Sequence, residues 1–101
     1  MKNDNHVWDN KLPTAQMLGR WQPWHEGHQK LFEEILKKTG QVNIMVRDVK
    51  GVGDNPFDFE TVKKNIFEAL KDYKNRIKVT LVPNITNICY GRGVGYKIEE
   101  I

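Results

Sequence analysis

Two histidines three residues apart, His25 and His28, with a glycine between them at Gly27, are the residues of this 101-residue chain best suited to chemistry. They close the stretch Leu18-Gly19-Arg20-Trp21-Gln22-Pro23-Trp24-His25-Glu26-Gly27-His28, in which apolar residues lead into a glycine and a proline turn before an amphipathic run begins. That order marks a strand-to-helix junction. At the first turn of a helix the backbone N–H groups lack partners and the dipole is positive, so a triphosphate is stabilised there. Imidazoles at this spacing project from one side of the turn and set N–H donors beside the phosphates. Gly27 leaves room between them, because a side chain there would crowd whatever the histidines hold.

The elements that must position this pair follow from periodicity. Ala15 to Trp21 reads as a first strand, central and short. From His28 the spacing turns helical: Leu31, Phe32, Ile35 and Leu36 form an apolar stripe, with Glu33–Lys37 and Glu34–Lys38 as i,i+4 pairs on the wet face. Thr39-Gly40 ends that helix. Gln41 to Arg47 reads as a second strand, and a helical crossover between the two makes them parallel. Asp58 to Tyr73 is a second helix, with Asp58 as N-cap, Phe57 and Val62 as a hydrophobic staple, and a stripe of Phe59, Val62, Ile66, Ala69, Leu70 and Tyr73. Ile77 to Val82 alternates as a third strand, and Val94, Tyr96 and Ile98 alternate as a final short one.

In open parallel sheets ligands bind beyond the carboxyl ends of the strands, which places the loop from Arg47 to Gly53 beside the histidines. Arg47 as a fork and Lys50 as a point charge are candidates to hold phosphate oxygens, against the plainer readings of a pair with Asp48 or simple solvation. Gly91-Arg92-Gly93-Val94-Gly95 is either a phosphate loop or a flexible turn, and Arg92 between two glycines is a further candidate phosphate contact.

His25-Glu26-Gly27-His28 resembles the His-x-Gly-His motif of the nucleotidyltransferase superfamily. The residues before it resemble the Gly-Arg-Phe-Gln-Pro-Phe-His form found in nicotinamide mononucleotide adenylyltransferases and related enzymes. Asp54-Asn55-Pro56-Phe57 and Val82-Pro83-Asn84-Ile85 resemble further family segments, so the likeness runs in order from about Ala15 to Ile85. It implies an α/β, Rossmann-like three-layer nucleotidyltransferase fold with a small parallel sheet. It also implies nucleotide-binding positions at Gly19, Arg20, Trp21, Gln22 and Gly27, and a loop bordering the acceptor at Asn55 and Phe57, although those two also suffice as the turn that starts the second helix.

The reaction implied is attack of an acceptor phosphate on the α-phosphate of a nucleoside triphosphate with release of pyrophosphate, a transfer that needs positioning and charge stabilisation more than a protein nucleophile. His25 and His28 are then the catalytic donors, and magnesium arrives with the nucleotide rather than on protein ligands. The Gly19-Arg20-Trp21-Gln22 lead-in resembles the adenylyl-transferring branch, so ATP is expected and CTP is the alternative. The family carries a later motif near Ile-Ser-x-Thr that grips the triphosphate; this chain contains no serine and ends at Ile101. The expectation is a C-terminally truncated domain spanning 14–101 after a polar arm at 1–13. A non-catalytic nucleotide-binding module is the rival, and a cation shared by the two histidines is a weaker third, since no cysteine stands near them and Glu26 points elsewhere on the turn.

Composition bounds these readings. A chain of this length is one domain, and 39% hydrophobic with 29% charged residues fits a globular protein with no apolar run long enough to span a membrane. The polar start, Met1-Lys2-Asn3-Asp4-Asn5, has no apolar stretch behind it, so a cytoplasmic protein is expected. The net charge of +3 is spread along the chain, which suits a small anionic ligand and does not indicate nucleic acid. Cys89 is the single cysteine; it excludes an intrachain disulfide and reads as a small buried or half-buried thiol. His6 reads as solvent-exposed, while Trp8 in its polar arm is expected to dock on the domain. A small sheet leaves apolar edges, so a homodimer is expected.

Overall fold

The computed structural model describes residues 5–53, 55–89 and 91. Strands β1 (Ala15–Gly19), β2 (Val42–Arg47) and β3 (Ile77–Val82) form a parallel sheet in the order β1-β2-β3, with helix α1 (Glu26–Thr39) in the first crossover and α2 (Phe59–Ala69) in the second. The fold is thus α/β with a small parallel sheet flanked by helices, as the sequence predicts. β2, and not β1, is the middle strand among the described residues, because both crossovers step the same way across the sheet.

One face of the sheet carries the core. Met17, Ile44 and Val79 share a register row, as do Ala15, Val42 and Ile77, and these residues meet Phe32, Ile35 and Leu36 from α1 and Val62, Ile66 and Leu70 from the second crossover. Alternation along β2 makes this possible: Val42, Ile44 and Val46 are buried while Asn43, Met45 and Arg47 are half-buried on the other face. Phe57 packs against the same core as Val62, as a staple requires.

Helix α1 is closed by Gly40, whose φ of 85° is left-handed and whose N–H donates to the Leu36 carbonyl at 2.8 Å. Helix α2 is shorter than its apolar stripe suggests. It ends at Ala69, Leu70 leaves helical geometry fully buried, and Lys71–Arg76 winds into a tighter 3-10 turn. Distant partners account for the change: the Tyr73 hydroxyl donates to Glu33 on α1 at 3.0 Å, and Arg76 Nη1 donates to the Gly40 carbonyl at 2.8 Å. Glu33 therefore serves Tyr73, and the ion pairs along α1 include Lys37–Glu34 at 3.4 Å and Lys30–Glu26 at 3.8 Å.

The N-terminal arm is pinned to the start of β2. Gln41 is fully buried, and its Nε2 donates to the Asp9 carbonyl and to Thr14 Oγ1, both at 2.7 Å. Its Oε1 accepts from His6 Nε2 at 3.1 Å and from the Asp9 N–H at 3.4 Å. His6 is therefore half-buried rather than exposed, because a buried carboxamide needs its partners. Trp8 docks as expected, with Lys78 Nζ 5.1 Å from its ring centre. Cys89 is exposed, contrary to expectation, since the chain beyond β3 runs without helix or strand at this point. Among the described residues, no helix is long and apolar enough to cross a membrane. The final strand expected around Val94, Tyr96 and Ile98 lies outside the described residues.

Candidate functional site

The carboxyl end of β1 does not continue as an extended strand to Trp21. After Gly19 the chain turns, Trp21 adopts a left-handed φ of 53°, and the Gln22–Pro23 peptide is cis. A left-handed conformation costs a bulky residue roughly 1–2 kcal/mol, and burial of the indole offsets it. The Trp21 ring folds back over Gly19, where a Cβ would stand 2.7 Å from Cζ2, and its Nε1–H donates to the Met45 carbonyl on β2 at 3.2 Å. Glycine is needed at position 19 for this close approach. Trp24 lies beside it in a tilted contact, 5.1 Å between ring centres and 54° between planes, and caps the core over Phe32.

On this aromatic floor the two histidines form a reciprocal helix cap. His25 is the N-cap of α1: its Nδ1 accepts from the Gly27 N–H at 3.0 Å, and His28 Nδ1 accepts from the His25 N–H at 3.2 Å. A backbone N–H only donates, so in each neutral ring Nδ1 is bare and the proton sits on Nε2. The pair thus presents two Nε2–H donors at the positive end of a helix. The rings stack with centres 3.6 Å apart and 21° between planes, and the Trp21 indole meets His28 edge-on at 4.7 Å. Burial against these rings, and then the neighbouring His25, hold the His28 pKa below the ordinary histidine value. Gly27 makes the stack possible: a Cβ there would stand 2.9 Å from His25 Cε1, so the room this glycine leaves is occupied first by the His25 ring.

The loop before α2 is joined to the His turn at two places. Gln22 Nε2 donates to the Phe57 carbonyl and Gln22 Oε1 accepts from the Phe57 N–H, both at 2.8 Å. Two residues earlier on each strand of chain, Arg20 Nη1 lies 3.4 Å from Asn55 Oδ1. Asn55 is buried, with its Nδ2 donating to the Val52 carbonyl and its carbonyl accepting from the Gly51 N–H at 3.0 Å. Asp58 caps α2 by accepting from the Thr61 N–H at 2.9 Å, and that bond, more than the nearby Lys50 charge, holds its carboxyl below the usual range.

Arg47, at the carboxyl end of β2, sends Nη2 to Asn84 Oδ1 at 2.7 Å, and its Nε is buried with no partner among the described residues. Asn84 was not distinguishable from sequence as a partner of Arg47, since 37 residues separate them. Lys50 is exposed in the same loop. The structure therefore brings together His25, Gly27, His28 and Trp21, and separately Arg20 with Asn55 and Gln22 with Phe57. Arg92 lies outside the described residues.

Comparison with known proteins places this geometry in context. Over 61 residues the chain is 33% identical to a nicotinamide-nucleotide adenylyltransferase of Methanococcus aeolicus, and the match takes in 58% of this chain and 36% of that protein. The chain spans little more than a third of the length of the curated relative it matches. No protein-family model matches it. The chain is thus similar to a nucleotidyltransferase over more than half its own length.

A separate cleft of about 510 Å³ lies between the N-terminal arm and the start of β3, lined by His6, Trp8, Lys74, Ile77 and Lys78 among others. It is at the opposite end of the sheet from the histidines, because Ile77 and Lys78 begin β3. Among the described residues, no group of three or more His, Cys, Asp or Glu side chains is placed to hold a metal ion.

Proposed function

We propose that the chain binds ATP at the His turn and transfers AMP to a small phosphate-bearing acceptor. The observation that carries this reading is the reciprocal cap, which spends Nδ1 of His25 and of His28 on the main chain and leaves two Nε2–H donors on the first turn of a helix. In the transfer an acceptor phosphate oxygen bonds to the α-phosphorus, the bond from that phosphorus to the bridging oxygen of the β-phosphate breaks, and pyrophosphate leaves. His25 and His28 stabilise the charge that develops on the phosphate oxygens. Gly19, Arg20, Trp21, Gln22 and Gly27 form the nucleotide side of the site, and Asn55 and Phe57 border the acceptor.

Arg47 supports the anionic character of the ligand. A buried guanidinium N–H without a partner is costly, and a phosphate oxygen would satisfy it. Lys50 and Arg92 are the further cations of this reading. Magnesium belongs to the nucleotide and is carried in by its phosphates. The adenylyltransferase likeness favours ATP over CTP.

Calorimetric titration of ATP and CTP with magnesium, on wild type and His28→Ala, tests the proposal. Binding of ATP that is lost in the variant, with pyrophosphate released on addition of an acceptor, supports it. Preference for CTP would move the chain to the cytidylyl branch. Binding with no pyrophosphate release across phosphorylated acceptors would make it a nucleotide-binding module, and no binding to either nucleotide would sink the reading. We further expect a homodimer, because β1 and β3 are edge strands among the described residues and Leu81 on β3 is exposed. A monomer at micromolar concentration in light scattering would contradict it.

A further inference from the structure

The geometry points to Gln22 as a positioning residue: we infer that its carboxamide, bonded through both its oxygen and its nitrogen to the main chain of Phe57, ties the His turn to the loop before α2 and so sets the width of the site. The inference rests on the nucleotide-binding reading above and gives Gln22 a role other than selecting the base. Its Nε2–H donates to the Phe57 carbonyl and its Oε1 accepts from the Phe57 N–H, an arrangement that mimics a pair of sheet hydrogen bonds across 35 residues of sequence. Arg20 with Asn55 forms a second rung, two residues earlier on both segments.

The two segments carry different parts of the proposed chemistry. Residues 20–28 hold the histidines, and residues 51–57 hold the acceptor border, with Asn55 buried and Phe57 packed on the core. No strand pairing joins these segments, since β1 has already ended at Gly19 and pairs only with β2 among the described residues. The ladder from Arg20 and Gln22 supplies the registration that the sheet does not. A carboxamide engaged in this way has its oxygen and its nitrogen both oriented by backbone, and a base edge could meet only the second N–H and the second lone pair unless it displaced Phe57.

The test uses hydrogen exchange at the Phe57 amide together with titration of ATP and CTP, each with magnesium. Phe57 lies before the N-cap of α2, so its N–H has no place in the helix ladder and its protection reports the Gln22 bond. In Gln22→Leu the protection factor should fall about tenfold, the equivalent of one lost hydrogen bond, and both nucleotides should weaken by the same factor. Gln22→Glu supplies a rescue. As a carboxylate it faces the Phe57 carbonyl with no proton to give, and protection falls; once protonated, its C=O accepts, its O–H donates, and protection returns. Arg20, Lys50, Asp58, His25 and His28 are the other charged or titrating groups of this edge, and the wild-type protection factor over the same pH range supplies the baseline.

Unchanged Phe57 protection in Gln22→Leu would overturn the inference. So would a change in ATP-to-CTP preference with protection intact, which would make Gln22 a reader of the base. Lost protection with nucleotide affinity unchanged would show a bond that positions nothing. If wild type bound neither nucleotide, the transfer reading would fail, while Phe57 exchange in the two variants would still decide whether the bond holds this loop.

Discussion

At the amino end of the sheet Gln41 is fully buried, and its carboxamide makes four hydrogen bonds inside the chain; at the carboxyl edge His25 and His28 each spend one ring nitrogen on the main chain and keep the other as a donor. Both regions put polar side chains where the main chain needs partners. A satisfied polar group holds architecture together, whereas a half-satisfied pair at a helix N-terminus has recognition capacity left over, as has the buried bare Nε–H of Arg47 at the carboxyl end of β2. The difference separates the arm from the candidate site more sharply than exposure does.

His28→Ala strikes the site side of that comparison hardest. It should lower any adenylyl transfer on the order of 100-fold or more, while costing the fold about 1 kcal/mol as a lost helix cap. Turnover near wild type would remove His28 from the chemistry. Gln41→Leu is its counterpart at the other end: four partners lose their bonds, so chemical denaturation should show about 2–3 kcal/mol of lost stability. Nucleotide binding should be untouched, and a variant that lost binding while remaining folded would show that the two ends are coupled.

Gly27→Ala sharpens the site side again. Alanine is the better helix former by roughly 0.5–1 kcal/mol, yet its Cβ would press on the His25 ring at 2.9 Å. Nucleotide affinity should fall about tenfold, the order of one displaced hydrogen bond, without loss of helix content by circular dichroism. An unaffected titration would mean that the stacked rings are not the binding conformation. Tyr73→Phe removes a satisfied bond to Glu33 and should cost only about 1 kcal/mol by thermal melting; a larger loss would mean that the 3-10 turn itself depends on it.

The smallest expected effect is the pH dependence from His28. Its pKa in the folded chain lies below the ordinary value of about 6.5, so between those two pH values the unfolded chain binds a proton that the folded chain does not. Stability is therefore fully present above about pH 6.5 and declines as pH falls through the folded pKa. Denaturation midpoints on either side of this window should show a smaller pH slope in His28→Ala than in wild type. Equal slopes would mean that His28 is not held neutral by its burial. A bound triphosphate should reverse the shift, and NMR titration of the His28 ring with and without ATP would show it.

The amino-acid sequence was enough for features whose causes are local. The parallel α/β order, the third strand over Ile77–Val82, the Asp58 cap and the glycine end of α1 all follow from periodicity and turn chemistry within a few residues. The similarity to a nucleotidyltransferase was likewise legible from the residues alone, and the 61-residue match to an adenylyltransferase agrees with it. What the sequence left open were partners far apart along the chain. Gln41 looks like the first residue of a strand until Asp9, Thr14 and His6 are seen around it, and the helix through Tyr73 looks continuous until Glu33 and Gly40 claim Tyr73 and Arg76.

Gly19 and Gln22 show the same division within the candidate site. Their residue types suggest approach to a ligand, but only tertiary structure gives the space beside Gly19 to the Trp21 indole and the carboxamide of Gln22 to the main chain of Phe57. Short-range spacing fixes which side chains share a turn, because helix and strand repeats are geometric. Which distant group satisfies each polar atom depends on how crossovers bring segments together, and residue types alone carry no record of that choice.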